Sequence, residues 1–554
     1  MTVPVLPRPT GELTSLLRDI RAAATGEPLP DLGFSAYRDY FDTGNRIRYE
    51  RRYFRRRARL AAQAAQALLD PDTDLGPLAD TLWSVCDEYT WALPAHVRPS
   101  ADQDRGPEQC LDLFAAETAH TVAETVAALG DRLDRRVRDR VRGQVRRRVF
   151  EPYLDARPLN WEGHGNNWEA VCAGATGLAA LALLHDSPAD AAALAAMLDR
   201  SRRAMDRYLR GFGDDGGCAE GVDYWVYGFG YFVYFAEALR EHTGQDLLDS
   251  AKVAQIAAFP HRVALGGGAY VPFSDASERP WLPAGLLTRL AERFGTPPAR
   301  VVPSLHDDHC YRWGHLSRTL SWFRPLPAPA PTENSSYLPD LAWVAHRGRT
   351  GFAAKGGHND EPHNHNDLGH FVLHTHGVSV LDDLGAGEYT AGYFGPGRHA
   401  FLHPSARGHS VPVIDGQAQL PGPDRAAKVL HYADDGGTVS FDLDLTGAYQ
   451  VDGLRSLVRR FRWSDGRLEL TDEIDAERDL PVEELFISRR EPALAPGTAD
   501  WDGLVTLAHD CSQATVSVEP TSDHQAQPDR VYRLTCTTVA PVGRSSHRFV
   551  FDLA

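Results

Sequence analysis

The sequence has few cysteines, and their spacing argues against two classes of protein. There are seven in 554 residues, an odd number, and no two of them form a CxxC pair. A disulfide-stapled scaffold would need an even, closely spaced set, and a cysteine-rich zinc site would need CxxC-like pairs. We therefore expect most of these cysteines to be small, buried, apolar side chains.

The sequence also lacks long apolar runs and an excess of positive charge. It begins without the apolar segment of a signal peptide, and we find no apolar run of membrane-span length. We expect the protein to be cytoplasmic, or to have lost an export signal, and to have no membrane partner. The net charge of −17 argues against nucleic acid as a partner. An anionic substrate would therefore have to be held by local cations.

The chain is long enough for two or three domains, and its first 323 residues have the patterning of helices. One helix is predicted from Ser187, with Pro188 in its first turn, to Gly211. Another covers residues 131–150, where interleaved acids predict an ion-paired Arg-rich face and not a nucleic-acid patch. Its apolar stripe consists of Leu133, Val137, Val141 and Val145. Helices recur in pairs, which predicts an α/α toroid or a stacked array of helical hairpins.

The second half has the patterning of strands. A Pro-rich linker is predicted at residues 324–336, and an antiparallel β-sandwich at residues 337–554. Residues 457–463 and 467–471 flank Ser464-Asp465-Gly466, which is typical of a hairpin. Residues 531–538 and 547–553 are predicted to form a closing antiparallel pair. The fold class is therefore α+β with several domains.

The densest group of reactive side chains lies in the second half. His363, His365 and Asp367 stand two residues apart, so they would share one face of an extended strand. Two apolar segments follow, then Asp382-Asp383-Leu384-Gly385, and later Gly408-His409. Imidazoles and a carboxylate in this arrangement predict a divalent metal such as zinc. The alternative is a chance cluster on a solvated strand, since the chain has 23 histidines.

Three polar segments stand out in the helical half. Asn166-Asn167-Trp168 leads into an apolar helix, where the amides could cap the helix or bind a carboxylate or sugar hydroxyls. Residues 214–228 form a Gly-rich segment that contains Glu220, Tyr224 and Tyr227, and its aromatic rings could instead pack on the following helix. Residues 83–96 contain Trp91 and His96, which suit stacking on a sugar.

These motifs resemble those of the heparinase II/III-like polysaccharide lyases, over roughly residues 80 to 420. The resemblance implies an α/α toroid, β-sandwich domains and an active site in the cleft between them. It also implies β-elimination on a uronic-acid-containing chain, with Asn167 facing the uronate carboxylate, Tyr224 as base or acid, and His363 assisting. The zinc ligands would be His365, Asp383 and His409. Substrate contacts would come from Asn166, Trp168, Glu220, Tyr227, Trp91, His96 and Arg398.

The chemistry fits these residue types independently. The proton beside a uronate carboxylate is hard to remove, because the anion must become a dianionic enolate, and amide or cationic groups at the carboxylate stabilise that state. Asp382 stays an alternative to Asp383, and Tyr227 an alternative to Tyr224. Because no export signal is evident, we expect an oligosaccharide or a small uronate-containing glycoside as the anionic carbohydrate substrate. The sequence leaves the oligomeric state open, a homo-oligomer included.

Three other functions stay open at this point. The first is a zinc-dependent hydrolase, although the chain lacks an HExxH motif. The second is an α/α-toroid glycoside hydrolase that uses two carboxylates, Glu220 and Asp223. The third is a carbohydrate-binding protein without activity, which would tolerate the change Tyr224→Phe.

Overall fold

The computed structural model describes residues 11–26, 28–97, 105–155, 157–298, 302–327 and 334–554. The chain divides into two compact units. The helical unit comprises Met1–Phe212, Tyr224–Ala257 and Trp281–Pro329. The β unit comprises Gly213–Asp223, Ala258–Pro280 and Ala330–Ala554. Two segments of the predicted helical domain, residues 213–223 and 258–280, thus belong to the β unit.

Helices make up most of the helical unit. Their bounds are α1 Thr14–Thr25, α2 Phe34–Thr43, α3 Ile47–Leu69, α4 Gly76–Cys86, α5 Leu113–Leu129, α6 Arg135–Val145, α7 Glu151–Leu154, α8 Asn167–Leu184, α9 Ala191–Arg210, α10 Val222–Thr243, α11 Ala251–Arg262, α12 Ala284–Phe294 and α13 Trp313–Trp322. The start of α10 and the end of α11 belong to the β unit. Helix α8 is the central apolar helix and packs against α5 and α9. Among the described residues it alone is long and apolar enough to cross a membrane, but 94% of it is buried inside the protein.

Two predicted helices are confirmed with small changes at their ends. Residues 188–190 form a short 3-10 turn before α9, which ends at Gly211 as predicted. Helix α6 begins at Arg135 because Asp134 caps it, and it continues as a π-helical turn to Phe150. Its predicted stripe is buried. Its arginines form ion pairs with Asp131, Asp134, Asp139 and Asp87, so the predicted ion-paired face is confirmed.

The β unit consists of antiparallel strands, and its first two form a hairpin within Ala258–Pro280. The strands are β1 Ala264–Gly266, β2 Ala269–Tyr270, β3 Ser335–Leu338, β4 Trp343–His346, β5 Thr350–Lys355, β6 His358–Asn359, β7 Phe371–Thr375, β8 Val378–Leu381, β9 Pro412–Ile414, β10 Gly422–Ala426, β11 Lys428–Asp434, β12 Val439–Asp444, β13 Leu454–Ser464, β14 Arg467–Ala476, β15 Leu480–Ser488, β16 Ala493–Ala495, β17 Thr498–Trp501, β18 Val505–His509, β19 Gln513–Ser522, β20 Pro528–Ala540 and β21 Gly543–Leu553. Strand β3 begins inside the predicted linker, whose residues 328–333 lie outside the described part of the chain.

Three larger sheets contribute to one hydrophobic core. Their strand orders are β3-β4-β5-β7-β8, then β11-β12-β13-β14-β21-β18-β17-β16, and β19-β20-β15-β9. Phe352, Phe461 and Phe486, one from each sheet, belong to the same buried cluster. Alternate residues of β13 and β14 are buried, as a sheet with one covered face requires. The predicted packing of antiparallel sheets is therefore present.

The predicted hairpin is confirmed, but the predicted closing pair is wrong. Ser464 pairs with Arg467 across a two-residue turn, and Asp465 and Gly466 both have the positive φ that such a turn needs. Strands β20 and β21 lie in different sheets. Strand β21 is bonded on both sides, by β14 and β18, while β20 pairs with β15 and β19. Alternation of apolar residues shows that a segment is a strand but not which strand it pairs with.

Candidate metal centre and histidine network

The cluster around His363 lies in a loop and not in a strand. The loop connects the short strand β6 with β7, and His363 has a left-handed backbone with φ of +57°. The alternation of an extended strand is therefore broken at this residue. His365 and Asp367 point into the interior and are fully buried, whereas 17% of the His363 side chain is exposed. The predicted sharing of one strand face by these three side chains is wrong.

A buried carboxylate that the sequence did not single out organises this loop. Asp275 follows the β1–β2 hairpin within the β unit. It accepts five hydrogen bonds, from His363 Nδ1 at 2.8 Å, His365 Nε2 at 3.0 Å, Tyr389 Oη at 3.0 Å, Tyr393 Oη at 2.8 Å and Arg398 Nη2 at 3.1 Å. Burial by itself would raise its pKa. The hydrogen bonds from His363 and His365 and the charge of Arg398 instead hold the pKa well below its usual value, so Asp275 is ionised.

The partners of His365 and His409 fix which ring nitrogen of each carries a proton. His409 Nδ1 lies 2.9 Å from the Ser405 carbonyl oxygen, which can only accept, so Nδ1 carries the proton. His365 Nε2 must likewise donate to the ionised Asp275. Burial lowers the pKa of His409 to about 3, and the ring is neutral at pH 7. Burial also lowers the pKa of His365, so this ring is neutral as well. The unprotonated His365 Nδ1 and His409 Nε2 therefore face each other at 3.2 Å, an arrangement that two neutral rings cannot stabilise by a hydrogen bond.

Two carboxylates complete this cluster. Asp383 Oδ2 lies 3.6 Å from His409 Nε2, and Asp367 is held through Oδ1 by Lys355 Nζ at 2.6 Å. Asp383 Oδ2 and Asp367 Oδ2 are both buried without a hydrogen-bond partner among the described residues. One donor atom from each of His365, Asp367, Asp383 and His409 lies within 4.8 Å of the other three. Facing lone pairs and unpartnered carboxylate oxygens in one buried place fit a divalent cation.

The structure distinguishes between the two adjacent aspartates. Asp383 lies in the cluster and accepts a hydrogen bond from the Gly385 backbone at 2.8 Å. Asp382 instead forms an ion pair with Arg489. The three predicted ligands His365, Asp383 and His409 are thus together, and Asp367 is a fourth candidate.

The predicted carboxylate-binding motif forms the start of a helix in the helical unit. Asn166 caps α8 through its side-chain oxygen, which accepts from Trp168 N at 3.2 Å, so its amide group serves the cap. Asn167 is the first residue of α8 and is buried. Gly228 of α10 packs closely here, since a Cβ at that position would lie 3.1 Å from Asn167 Cα. Tyr224 precedes Gly228 by four residues and so lies on the same face of α10, one turn away.

Two predicted sugar contacts in the helical unit are wrong. Trp91 is 1% exposed, and its indole N–H donates to the Val85 carbonyl oxygen, so the ring offers no face to a ligand. Tyr227 is also buried, with the Arg312 guanidinium 4.0 Å above its ring. Both side chains fill the interior of the unit. The aromatic pattern by itself could not separate stacking on a sugar from packing in a core.

The remaining predicted contacts are engaged in different ways. His96 bonds to Asp112 Oδ2 at 2.7 Å through Nδ1 and lies 4.8 Å from the ring of Trp168, and both rings are partly exposed. Glu220 is buried in the β unit, with Oε1 3.7 Å from His363 Nε2. Arg398 holds Asp275 and also donates to the carbonyl oxygens of Asn364 and Tyr393. Arg398 therefore helps to hold Asp275 and the loop in position.

Asp275, Tyr389 and Tyr393 were outside every motif in the sequence. Asp275 stands 88 residues before His363, in a segment that no sequence motif connects with the histidines. Only the placement of residues 258–280 in the β unit brings it to the loop.

Comparison with known proteins identifies the fold. No family model and no curated protein matches the sequence. A crystal structure of heparinase III matches with a TM-score of 0.64 at 12% identity, covering 97% of this chain and 88% of that one. A heparan sulfate lyase HepC mutant from Pedobacter heparinus matches at 0.58 and 12% identity, covering 90% and 76%. Chondroitin AC lyase from Streptomyces coelicolor A3 matches at 0.52 and 11% identity, covering 98% and 83%. The predicted resemblance to heparinase-like polysaccharide lyases is confirmed at the level of the fold.

Proposed function

We propose that this protein is a carbon–oxygen lyase that cleaves a uronic-acid-containing oligosaccharide, polysaccharide or smaller glycoside by β-elimination. The fold supports this, since its neighbours are lyases of heparan sulfate and chondroitin. We also propose that the helical unit is an α/α toroid. The finer assignment rests on residues of this chain, in particular on the pair His363–Asp275.

The His363–Asp275 pair has the properties of a general acid/base. Asp275 accepts the proton of His363 Nδ1, which leaves Nε2 as the nitrogen that can take up or release a proton. An ionised, buried carboxylate fixes the orientation of the ring. Of the histidines in the loop that contact Asp275, His363 alone has a partly exposed side chain, so it alone can exchange a proton with a substrate.

Asn167 and Tyr224 are the candidates in the helical unit. We propose that the Asn167 amide binds the uronate carboxylate, and that Tyr224 transfers a proton at the sugar carbon or at the leaving oxygen. In support, α10 packs on the first residue of α8, and Tyr224 lies one turn from this contact on the same face. Neutralising the carboxylate by hydrogen bonds would stabilise the enolate-like transition state. His96 and Trp168 are the partly exposed rings that we propose for binding the sugar.

We further propose that His365, Asp383 and His409, with Asp367, hold one divalent metal ion of the zinc class. Such an ion would supply positive charge and would hold in place the loop between β6 and β7, which contains His363. Asp275 would bind His365 Nε2 from the outside, as carboxylates commonly support metal-bound imidazoles. Elemental analysis of protein purified without added metal should find about one equivalent of this ion per chain. It should be absent in the His365→Ala/His409→Ala double variant and kept in Asp382→Asn; full retention in the double variant would end the metal proposal.

A substrate panel tests the reaction. Uronic-acid oligosaccharides of different backbone should give a product that absorbs in the ultraviolet, because elimination leaves a double bond conjugated to the carboxylate. A hydrolase that used zinc, or Glu220 and Asp223, would give a saturated reducing end instead. Reduction of the substrate's carboxyl groups to alcohols is the matched control and should abolish turnover. Equal rates for both forms, or a saturated product, would contradict the lyase assignment.

A further inference from the structure

A second group of metal-binding side chains lies in the β unit, apart from the His363 loop. His509 ends β18, Cys511 follows in the connection to β19, and Cys536 is on β20. One donor atom from each of these residues lies within 4.8 Å of the other two. His509 Nδ1 and Cys511 Sγ approach to 2.7 Å. Cys536 is fully buried, while His509 and Cys511 are partly exposed.

The backbone holds this group in place. Ser512 donates through its backbone N–H, at 3.0 Å, and its hydroxyl, at 2.8 Å, to the carbonyl oxygen of Thr537, the residue after Cys536. The His509 N–H donates to the Gly497 carbonyl oxygen at 3.0 Å. These hydrogen bonds hold the backbone at or next to each of the three donor residues. An ion with bonds of about 2.0 to 2.3 Å holds its donors roughly 3.5 Å apart. The separations in this group, 4.8 Å at most, are of that order.

The chemistry of the donors selects the kind of ion. Two sulfur atoms and one imidazole nitrogen suit Zn²⁺ and other thiophilic ions, whereas Mg²⁺ and Ca²⁺ require oxygen donors. The apolar surroundings agree with this, since Cys536 belongs to the hydrophobic core and Cys511 packs against it. Three protein donors leave a fourth coordination position, and the partial exposure of His509 and Cys511 gives solvent access for a water molecule there.

We propose that His509, Cys511 and Cys536 form a second binding site for a thiophilic divalent ion of the Zn²⁺ class. Strand β18 belongs to the eight-stranded sheet and β20 to the four-stranded sheet, so the ion would join two sheets of the β unit. Binding replaces the proton of each thiol by a bond to the metal and releases two protons, with no change of oxidation state. The site is independent of the proposed lyase activity.

Cobalt is the probe that separates this site from the His365 cluster. Co²⁺ bound to thiolate gives a charge-transfer absorption in the near ultraviolet, which a site of imidazoles and carboxylates cannot give. The full-length protein is stripped of metal with a chelator, kept reduced and anaerobic, and titrated with Co²⁺ in the His365→Ala/His409→Ala background. We expect the thiolate band to saturate at one equivalent per chain. Its absence would overturn the proposal, whatever the outcome for the lyase activity.

Variants assign the donors. Cys511→Ser and Cys536→Ser should each abolish the thiolate band or reduce it by half or more, and His509→Ala should weaken Co²⁺ binding by more than about tenfold. Cys86→Ser is the control, since Cys86 is equally buried but lies in α4 of the helical unit. An unchanged band in Cys511→Ser would contradict the proposal. If Cys536→Ser does not fold, the unaltered protein can be tested instead, by measuring the rate at which an alkylating reagent labels Cys511 with and without Zn²⁺. Labelling that is at least about tenfold slower with Zn²⁺ supports the site, and equal rates refute it.

Discussion

Two buried carboxylates of the helical unit and two of the β unit differ in how their charge is compensated. In the helical unit, Glu124 is fully buried and binds Arg318 through both carboxylate oxygens, at 2.7 and 2.8 Å, with a further bond from the Trp313 indole at 2.7 Å. Glu88 is enclosed in the same way by Arg56 and Arg57. In the β unit, Asp367 and Asp383 each leave a buried oxygen without a hydrogen bond among the described residues, beside two facing imidazole nitrogens.

The difference indicates that Glu124 and Glu88 contribute to stability, whereas Asp367 and Asp383 are arranged to bind a ligand. A buried ion pair with all its hydrogen bonds made is self-sufficient, and removing one partner costs stability alone. A buried group with unpartnered oxygens and lone pairs is costly unless something binds there. The β unit also contains a buried ion-pair network in which Arg459 donates to both oxygens of Asp472 and to one oxygen of Glu484.

The largest effect is expected for a change that alters turnover and leaves stability unchanged. Tyr224→Phe removes one hydroxyl group from a partly exposed residue. Turnover should fall by roughly 10²- to 10⁴-fold, as for a lost general acid or base, while the thermal midpoint stays the same. His363→Ala should be similarly impaired and should keep its metal. Full activity in Tyr224→Phe would contradict the assignment of the proton transfer to Tyr224.

The opposite result is expected for the closed network of the helical unit. Glu124→Gln keeps the shape of the side chain but leaves the Arg318 charge buried without a counter-ion. The free energy of unfolding should drop by about 3 to 5 kcal/mol, measured by denaturant titration, and the metal content should not change. A smaller loss than 1 kcal/mol would show that the closed pairs contribute less than their burial indicates. Arg136→Gln is the control, since its ion pair with Asp134 is solvent-exposed.

Glu117 should give the helical unit a measurable pH dependence. Burial raises its pKa to about 8, with the Arg312 charge opposing the shift. The unfolded chain loses this proton near pH 4.5, so the folded state binds more protons between about pH 4.5 and 8, and stability falls as pH rises through that window. The change is on the order of a few kcal/mol, at about 1.4 kcal/mol for each pKa unit. Glu117→Gln should flatten this slope; an unchanged slope would contradict the shift.

The smallest effect is expected at Asp275, which supports the proposed metal site from outside. Asp275→Asn keeps the shape but removes the charge that orients His363 and His365. Metal affinity should fall by roughly 10- to 100-fold, as is typical for a lost supporting partner, and turnover should fall as well. Equilibrium dialysis against a metal-buffered solution measures the affinity. An unchanged affinity would show that His365 does not bind the ion in the orientation that Asp275 fixes.

Several features of the protein follow from local sequence. The apolar stripe of α6, the cap at Asn166 and the two-residue turn at Asp465-Gly466 depend on residues that are close in the chain, where helix and turn geometry is decided. The types of the metal-binding candidates could also be predicted, because His365, Asp383 and His409 carry the donor atoms in short Gly-punctuated motifs.

Only the tertiary structure decided which of these residues meet. The left-handed backbone at His363 separates it from His365, although their spacing indicates one strand face. Asp275 reaches the loop because a segment from the first half of the sequence packs in the β unit, and β20 and β21 enter different sheets although two residues separate them. The same holds for Cys536, which joins His509 and Cys511 through strand packing and not through spacing. The physical reason is that long-range contacts depend on how several apolar surfaces are buried at once, which no short segment determines by itself.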